Sequence, residues 1–220
     1  MLKDEDLISF DQFEAAIFDL DGTLVHSEHV WDQAKREILA SYGITPSQSL
    51  LDKHVGRGLN GFLDDVFEQS LSGEEYEEVR NKIGARADVL LPELSLPVEG
   101  APEYLSALHV KGVRIAICSS SPERHIQSAI DRLSLQSQVE LYVSGSDLPR
   151  GKPDPLPYQT TLQRLGLSAS KACAFEDSSP GAESALAAGL TVFGIGVPIA
   201  GTEFPKRTIQ VKCFRDLPLP

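Results

Sequence analysis

Two aspartates, Asp19 and Asp21, stand at the end of the apolar run Ala15-Ala16-Ile17-Phe18, and Gly22 follows at once. Carboxylates at the exit of a buried strand are costly unless something pairs with them, although Asp-Gly is also a common turn dipeptide. A second acidic pair, Glu176-Asp177, follows the apolar run Ala172–Phe175 and precedes Ser178. Asp177 or Ser178 could equally cap a helix over Gly181–Ala188. In a parallel sheet both acidic ends point to one edge. Carboxylates so close repel by about 4 kcal/mol per pair at an effective dielectric of about 20. A bound cation resolves this, and an all-oxygen set without a His or Cys cluster suits Mg²⁺.

Two more segments sit in similar places. Ser119-Ser120-Ser121-Pro122 follows the run Val113–Cys118. Hydroxyls and free amides at a helix N-terminus make an anion site, while Ser121 also reads as an N-cap with proline at the first helical position. Gly151-Lys152-Pro153-Asp154-Pro155 holds a lysine on a stiff loop, which alone would be an ordinary surface lysine. Together the four segments describe phosphoryl transfer. A carboxylate approaching a phosphate dianion is opposed by like charge. Mg²⁺ and Lys152 would cancel that charge, and Ser119 and nearby amides would hold the phosphoryl oxygens. Asp19 would attack phosphorus to form an aspartyl-phosphate. Asp21 would protonate the leaving oxygen and later deprotonate the water that breaks the intermediate.

These residues must be positioned by strands that alternate with helices. Strands are predicted at Ala15–Leu20, Val113–Cys118, Glu140–Ser144, Ala172–Phe175 and Leu190–Ile195, with helices over Ala101–Lys111, Pro122–Leu133, Pro155–Leu165 and Ala182–Ala188. Glycines or capping residues bound the helices. The pattern implies an α/β fold with a parallel, Rossmann-like sheet covered on both faces. Between Glu28 and Pro97 the periodicity is helical, with no convincing strand. Ser27–Tyr42 carries apolar residues at helical spacing, and Ser72-Gly73-Glu74-Glu75 has the capping-box pattern. The division predicted is a core of residues 1–27 and 98–220 with a helical insert over 28–97, lying above the carboxyl ends of the strands where open α/β sheets bind ligands.

Composition narrows the class further. With 41% hydrophobic and 24% charged residues in 220, the chain is globular rather than fibrous or disordered. A net charge of −12 argues against nucleic acid and anionic membranes as partners. The run Leu190–Gly201 is short and broken by Gly194, Gly196 and Pro198, and the acidic start MLKDEDLISF lacks a signal-peptide core. Cys118, Cys173 and Cys213 lie in or beside apolar stretches and are read as buried, reduced thiols of a cytoplasmic protein. A monomer acting on a small phosphate ester is expected.

FDLDGTL (Phe18–Leu24), AICSSSP with Ser119, GKPDP (Gly151–Pro155) and FEDSSPGAESALAAG (Phe175–Gly189) resemble, in this order, the motifs of the haloacid dehalogenase superfamily. The insert looks like the small helical cap of the β-phosphoglucomutase-like and phosphoglycolate-phosphatase-like subfamily. The resemblance implies that Asp19 is nucleophile and metal ligand, and that Asp21 is the acid/base with its backbone carbonyl on Mg²⁺. It implies that Ser119 and Lys152 bind the phosphoryl group, that Asp177 is a ligand, and that Glu176 is a ligand or the partner of a metal-bound water. Asp21 argues against a true dehalogenase. Lys53-His54-Val55-Gly56-Arg57-Gly58 resembles the substrate-facing cap loop, which makes Arg57, supported by Lys53, a specificity candidate; Ser120 is a second substrate-binding candidate, and Trp31 and Arg80 are further places to look. β-Phosphoglucomutases carry a histidine where this chain has Trp31. That leaves hydrolysis of a sugar phosphate or phosphorylated sugar acid as the expectation, with a sugar phosphomutase and a non-catalytic binding protein as alternatives. His26 fits a hinge as well as a substrate contact, and His54, His109 and His125 read as ordinary helix or loop residues.

Overall fold

A computed structural model describes residues 10–68, 70–197 and 203–218. The N-terminal stretch 1–9, Pro198 and the end of the run to Gly201 lie outside the described residues. Six strands form one parallel sheet: β1 (Ala15–Phe18), β4 (Arg114–Ser119), β5 (Val139–Ser144), β6 (Ala172–Glu176), β7 (Thr191–Ile195) and β8 (Ile209–Val211), in the order β5-β4-β1-β6-β7-β8. From β1 the chain first builds outward through β4 and β5, then crosses to β6 and continues the other way. The strand order therefore reverses at β1, where open α/β sheets place their ligand crevice. The ladder aligns Phe18 with Ile117 of β4 and with Phe175 of β6. One residue further, Asp19 is level with Cys118 and Glu176, so all three motifs leave the sheet at one height.

The strands are apolar on both sides because both faces are covered. On one face Phe18 stacks on Phe175 at 4.6 Å and Phe175 on Phe193 at 5.1 Å, backed by Phe10, Tyr104 and Phe214. On the other, small residues such as Ala15, Ala116 and Ala174 let Tyr158, Leu162 and Ala182 pack close. Burying each large side chain contributes about 1.5–3 kcal/mol. Helices α5 (Ala101–Val110), α6 (Glu123–Arg132), α7 (Leu156–Leu165) and α8 (Ser179–Ala187) supply these layers. α7 stops at Gly166, whose φ of 69° is the left-handed conformation glycine adopts freely.

The insert consists of α1 (Glu28–Ala40), α2 (Gln48–Lys53), α3 (Leu59–Phe67) and α4 (Gly73–Leu94) around their own cluster of Val30, Ala34, Leu51, Phe62, Val79 and Ile83. The capping box at Ser72 is present in full, with Ser72 Oγ accepting from the Glu75 amide and Glu75 accepting from the Ser72 amide. The chain leaves the core at β2 (Val25–His26) and returns at β3 (Leu96–Pro97), which pair antiparallel. This short ribbon gives the insert a strand that its sequence did not announce, because two residues carry no periodicity. His26 is exposed on the ribbon opposite Leu96.

Three further differences have physical causes. β8 is a three-residue strand and too short to show alternation. α6 begins at Glu123 rather than Pro122, and Ser121 does not cap it; its hydroxyl is drawn to Asp21 instead. Cys118 and Cys173 are buried, whereas Cys213 is half-buried near the chain's end.

Candidate active site

Asp19 emerges from β1 with its amide donating to the Phe175 carbonyl at 2.9 Å, which anchors the backbone to β6. One carboxylate oxygen accepts from Lys152 Nζ at 2.6 Å; the other accepts no hydrogen bond among the described residues. Lys152, only 4% exposed, also donates to Glu176 at 2.6 Å and to the Cys118 carbonyl at 2.9 Å. Its three N–H donors are thus all matched, and the lysine that its own segment alone would leave on the surface is a buried cation beside Asp19. Burial works against its charge, but Asp19 and Glu176 outweigh that and push its pKa above the ordinary lysine value. Burial pushes the Asp19 carboxyl well up; Lys152 opposes this, while Glu176 and Asp21 add to it. Tyr158 on α7 donates to Glu176 at 2.5 Å, a contact invisible in a sequence where the two lie 18 apart. Burial pushes the neighbouring Cys118 thiol up to about 12, so at neutral pH it is no nucleophile.

Asp21 faces a ring of donors. Ser121 Oγ lies at 2.6 Å and Ser119 Oγ at 3.2 Å from one oxygen; Ser27 Oγ at 2.5 Å and Trp31 Nε1 at 3.1 Å approach the other. Ser119 Oγ also accepts the Ser121 amide at 2.9 Å, which fixes the turn before α6. Ser121 and Ser27 were missed because a serine near a helix start reads first as a cap. Trp31 reaches Asp21 from the first turn of α1, so the insert touches the candidate acid/base directly.

Asp177 completes the acidic edge. Its side chain accepts from Thr23 Oγ1 at 3.3 Å. Gly22, at φ +89°, leaves room for it: a Cβ there would stand 2.0 Å from Asp177 Oδ2. Gly181 does the same for Glu176, where a Cβ would meet a carboxylate oxygen at 2.0 Å. Asp19, Glu176 and Asp177 each offer an oxygen within 4.8 Å of the others. Burial pushes Asp177 well up, and Asp19, Glu176 and Glu28 add to it. Four carboxylates here face one lysine, and the donors are oxygens throughout. This set fits a hard divalent cation such as Mg²⁺.

Above this edge lies a cavity of about 370 Å³, small among ligand pockets, walled by core loops below and the insert above. The loop 54–58 closes onto the core. Ser120 Oγ donates to the Gly56 carbonyl at 3.0 Å, and a Cβ on Gly56 would stand 2.4 Å from Ser178 Oγ. Arg57, exposed at the rim, and Arg80, bonded to Glu77 at 3.1 Å, both line the cavity. Lys53 does not; it turns outward to Asp65 at 2.5 Å and gives Arg57 no support. His54 and His125 are more than ordinary loop residues. His54 is buried against the cavity and bonded to Asp65 at 2.8 Å. His125 on α6 is buried against Trp31 and bonded to Asp88 of α4, which also takes Arg124 at 2.8 Å. Glu28 and Lys35 of α1 line the cavity too, and neither was singled out from sequence.

A family model described as haloacid dehalogenase-like hydrolase matches residues 13–189. Validoxylamine A 7'-phosphate phosphatase of Streptomyces hygroscopicus subsp. limoneus is 31% identical over 185 residues, covering 83% of this chain and 85% of that one. Phosphorylated carbohydrates phosphatase of Thermotoga maritima is 30% identical over 183 residues, with 83% and 85% covered. The crystal structure of CbbY from Rhodobacter sphaeroides in complex with phosphate superimposes with a TM-score of 0.84 at 20% identity over 93% of this chain and 96% of that one, a likeness of fold. The reversed strand order at β1, the acidic edge and the matched span agree, and the chain belongs to the haloacid dehalogenase-like hydrolases.

Proposed function

We propose that the protein is a Mg²⁺-dependent phosphatase that hydrolyses a small phosphorylated sugar or sugar acid through an aspartyl-phosphate. The observation that carries this is Asp19: one oxygen is tied to Lys152 at 2.6 Å, the other accepts no hydrogen bond among the described residues, and the residue lines the cavity beside the acidic edge. The free oxygen attacks phosphorus and the bond to the leaving oxygen breaks. Asp21 gives that oxygen a proton. It then takes one from the water that opens the acyl phosphate, releasing inorganic phosphate and restoring Asp19. Ser119 and Lys152 hold phosphoryl oxygens, Lys152 by giving up one of its present acceptors, and Arg57 and Ser120 meet the rest of the substrate. Asp19, Glu176, Asp177 and the Asp21 backbone carbonyl would hold the cation. When bound, Mg²⁺ supplies positive charge that keeps the acidic edge ionised and offsets the charge on the transferring group.

Residues 28–97 act as a cap and the remainder as the core. Closure over a cavity of about 370 Å³ limits the substrate to a small molecule and excludes bulk water. The relatives named as phosphatases of phosphorylated carbohydrates support hydrolysis. So does Trp31, which stands where a mutase would carry histidine. The test is phosphate release from an aryl phosphate and a panel of sugar phosphates. Asp19→Asn is expected to lower turnover by at least about 1,000-fold with the fold intact. EDTA is expected to stop turnover and added Mg²⁺ to restore it. Retained activity in Asp19→Asn, or indifference to chelation, overturns the reading.

A further inference from the structure

We propose that the cap wall of the cavity is a subsite for a second anionic group on the substrate, with Lys35 as its buried anchor and Arg57 at its rim. The inference rests on the phosphatase reading and narrows it. The preferred substrate is a phosphate ester that also carries a carboxylate or a second phosphate, rather than the phosphate of a neutral polyol.

The argument begins from two lysines that are equally hidden, Lys152 and Lys35, each 4% exposed. Lys152 uses all its donors, with contacts at 2.6, 2.6 and 2.9 Å. Lys35 has a single hydrogen-bond partner among the described residues, Asp32 Oδ1, at 3.4 Å. Charge-assisted bonds of this kind are normally about 2.7–2.9 Å. Asp32 is itself shared, since its other oxygen takes Gln48 at 3.4 Å. The remaining neighbour of the ammonium is the Phe62 ring, 5.1 Å away at its centroid. A buried ammonium with donors to spare is unfavourable unless something else completes it. Lys35 lines the cavity, which is where a completing group can arrive.

The surroundings agree on the sign of that group. In a chain of net charge −12, the cap wall collects Lys35, Arg57 and Arg80 against one acid, Glu28. Arg57 makes no side-chain hydrogen bond or ion pair among the described residues and is free to receive a ligand. Burial pushes the Glu28 carboxyl up, against the opposing pull of Lys35. Glu28, Trp31 and Lys35 share one face of α1. Trp31 meets Asp21 at 3.1 Å, and Lys35 lies one turn further along, about 6 Å on.

The test compares kcat/KM for phosphate release from glucose 6-phosphate, 6-phosphogluconate and fructose 1,6-bisphosphate, with an aryl phosphate reporting on the core chemistry. The wild-type enzyme is expected to favour at least one of the two doubly anionic esters over glucose 6-phosphate by about tenfold or more. Which one it favours distinguishes carboxylate from phosphate. Lys35→Met is expected to bring that ratio to within about threefold, and Lys35→Arg to keep most of it. A wild-type enzyme that turns over the aryl phosphate but favours neither ester overturns the proposal while leaving the phosphatase reading intact. A preference unchanged in Lys35→Met overturns the role of Lys35. Failure to hydrolyse any ester, the aryl phosphate included, removes the phosphatase reading and this proposal with it. The wild-type ratio needs no variant, so a Lys35→Met chain that does not fold leaves the test in place.

Discussion

Asp21 shows how a single side chain is prepared. Four donors converge on its two oxygens, three of them hydroxyls that can rotate to accept as well as donate. The indole of Trp31 is the exception, because it can only donate. It therefore marks one Asp21 oxygen as the one that stays an acceptor. Trp31→Phe keeps the ring and removes the donor. Turnover is expected to fall by about tenfold, in line with the loss of one hydrogen bond to a charged group, with little change in KM. Steady-state kinetics on an aryl phosphate checks this, and an unchanged kcat would show that the bond is incidental. The acids were legible in the sequence because each pair follows an apolar run, a local signal, whereas Lys152 was legible only through the order of the four segments taken together. Trp31, Ser27, Tyr158 and Lys35 were not assigned these contacts, because each depends on which helical face comes to rest against a distant strand end. That is decided by packing, and no spacing along the chain records it.

At the level of elements, the contact between cap and core rests on a few points. The loop after α2 sits on the core through Gly56, which has a φ of +75° and no room for a Cβ against Ser178 Oγ at 2.4 Å. Gly56→Ala combines backbone strain of about 1–2 kcal/mol with that overlap. The loop is expected to lift, lowering kcat/KM by about tenfold while the melting temperature moves by only a few degrees. Kinetics and thermal denaturation run side by side check the split; a large loss of stability with unchanged kcat/KM would contradict it. α4 and α6 are joined by Asp88 with His125 and Arg124, and by Arg132 donating to the Leu91 and Ser95 carbonyls at 3.2 Å. The helices themselves were readable from their caps and glycines. Their pairing was not, since charged residues on exposed helical faces look alike whether or not a second helix covers them. The ribbon of β2 and β3 and the short β8 escaped for another reason: two or three residues hold too little pattern to separate strand from loop.

Across the whole molecule, stability is tied to proton uptake. His54 and His125 are both held below the ordinary histidine value, first by burial, with Asp65 and Asp88 opposing. Each bonds an aspartate through Nε2 and leaves a buried Nδ1 without a partner among the described residues. That arrangement suits a neutral ring and would strand an N–H on protonation. Below about pH 6.5 the unfolded chain binds protons that the folded chain refuses, so these two residues make stability fall as pH falls. Glu28, raised to about 8, acts in the opposite sense over its own range. The expected signal is thus a difference: between pH 7 and 5 the double variant His54→Gln, His125→Gln should lose less stability than the wild type, by up to about 1.4 kcal/mol per pH unit for each histidine. Parallel denaturation profiles for the two proteins would disprove it.

The polypeptide departs from the sheet just after Asp19 and Asp21 and comes back next to its own point of departure, since Val25 and Pro97 are partners in one ribbon. An excursion whose two ends already touch imposes no spacing on the strands beneath. Helices can be exchanged, lengthened or reshaped there without re-registering the acidic edge. Grafting a relative's insert at this junction should transfer preference, with the reaction kept only where the graft restores the contact that Trp31 makes with Asp21.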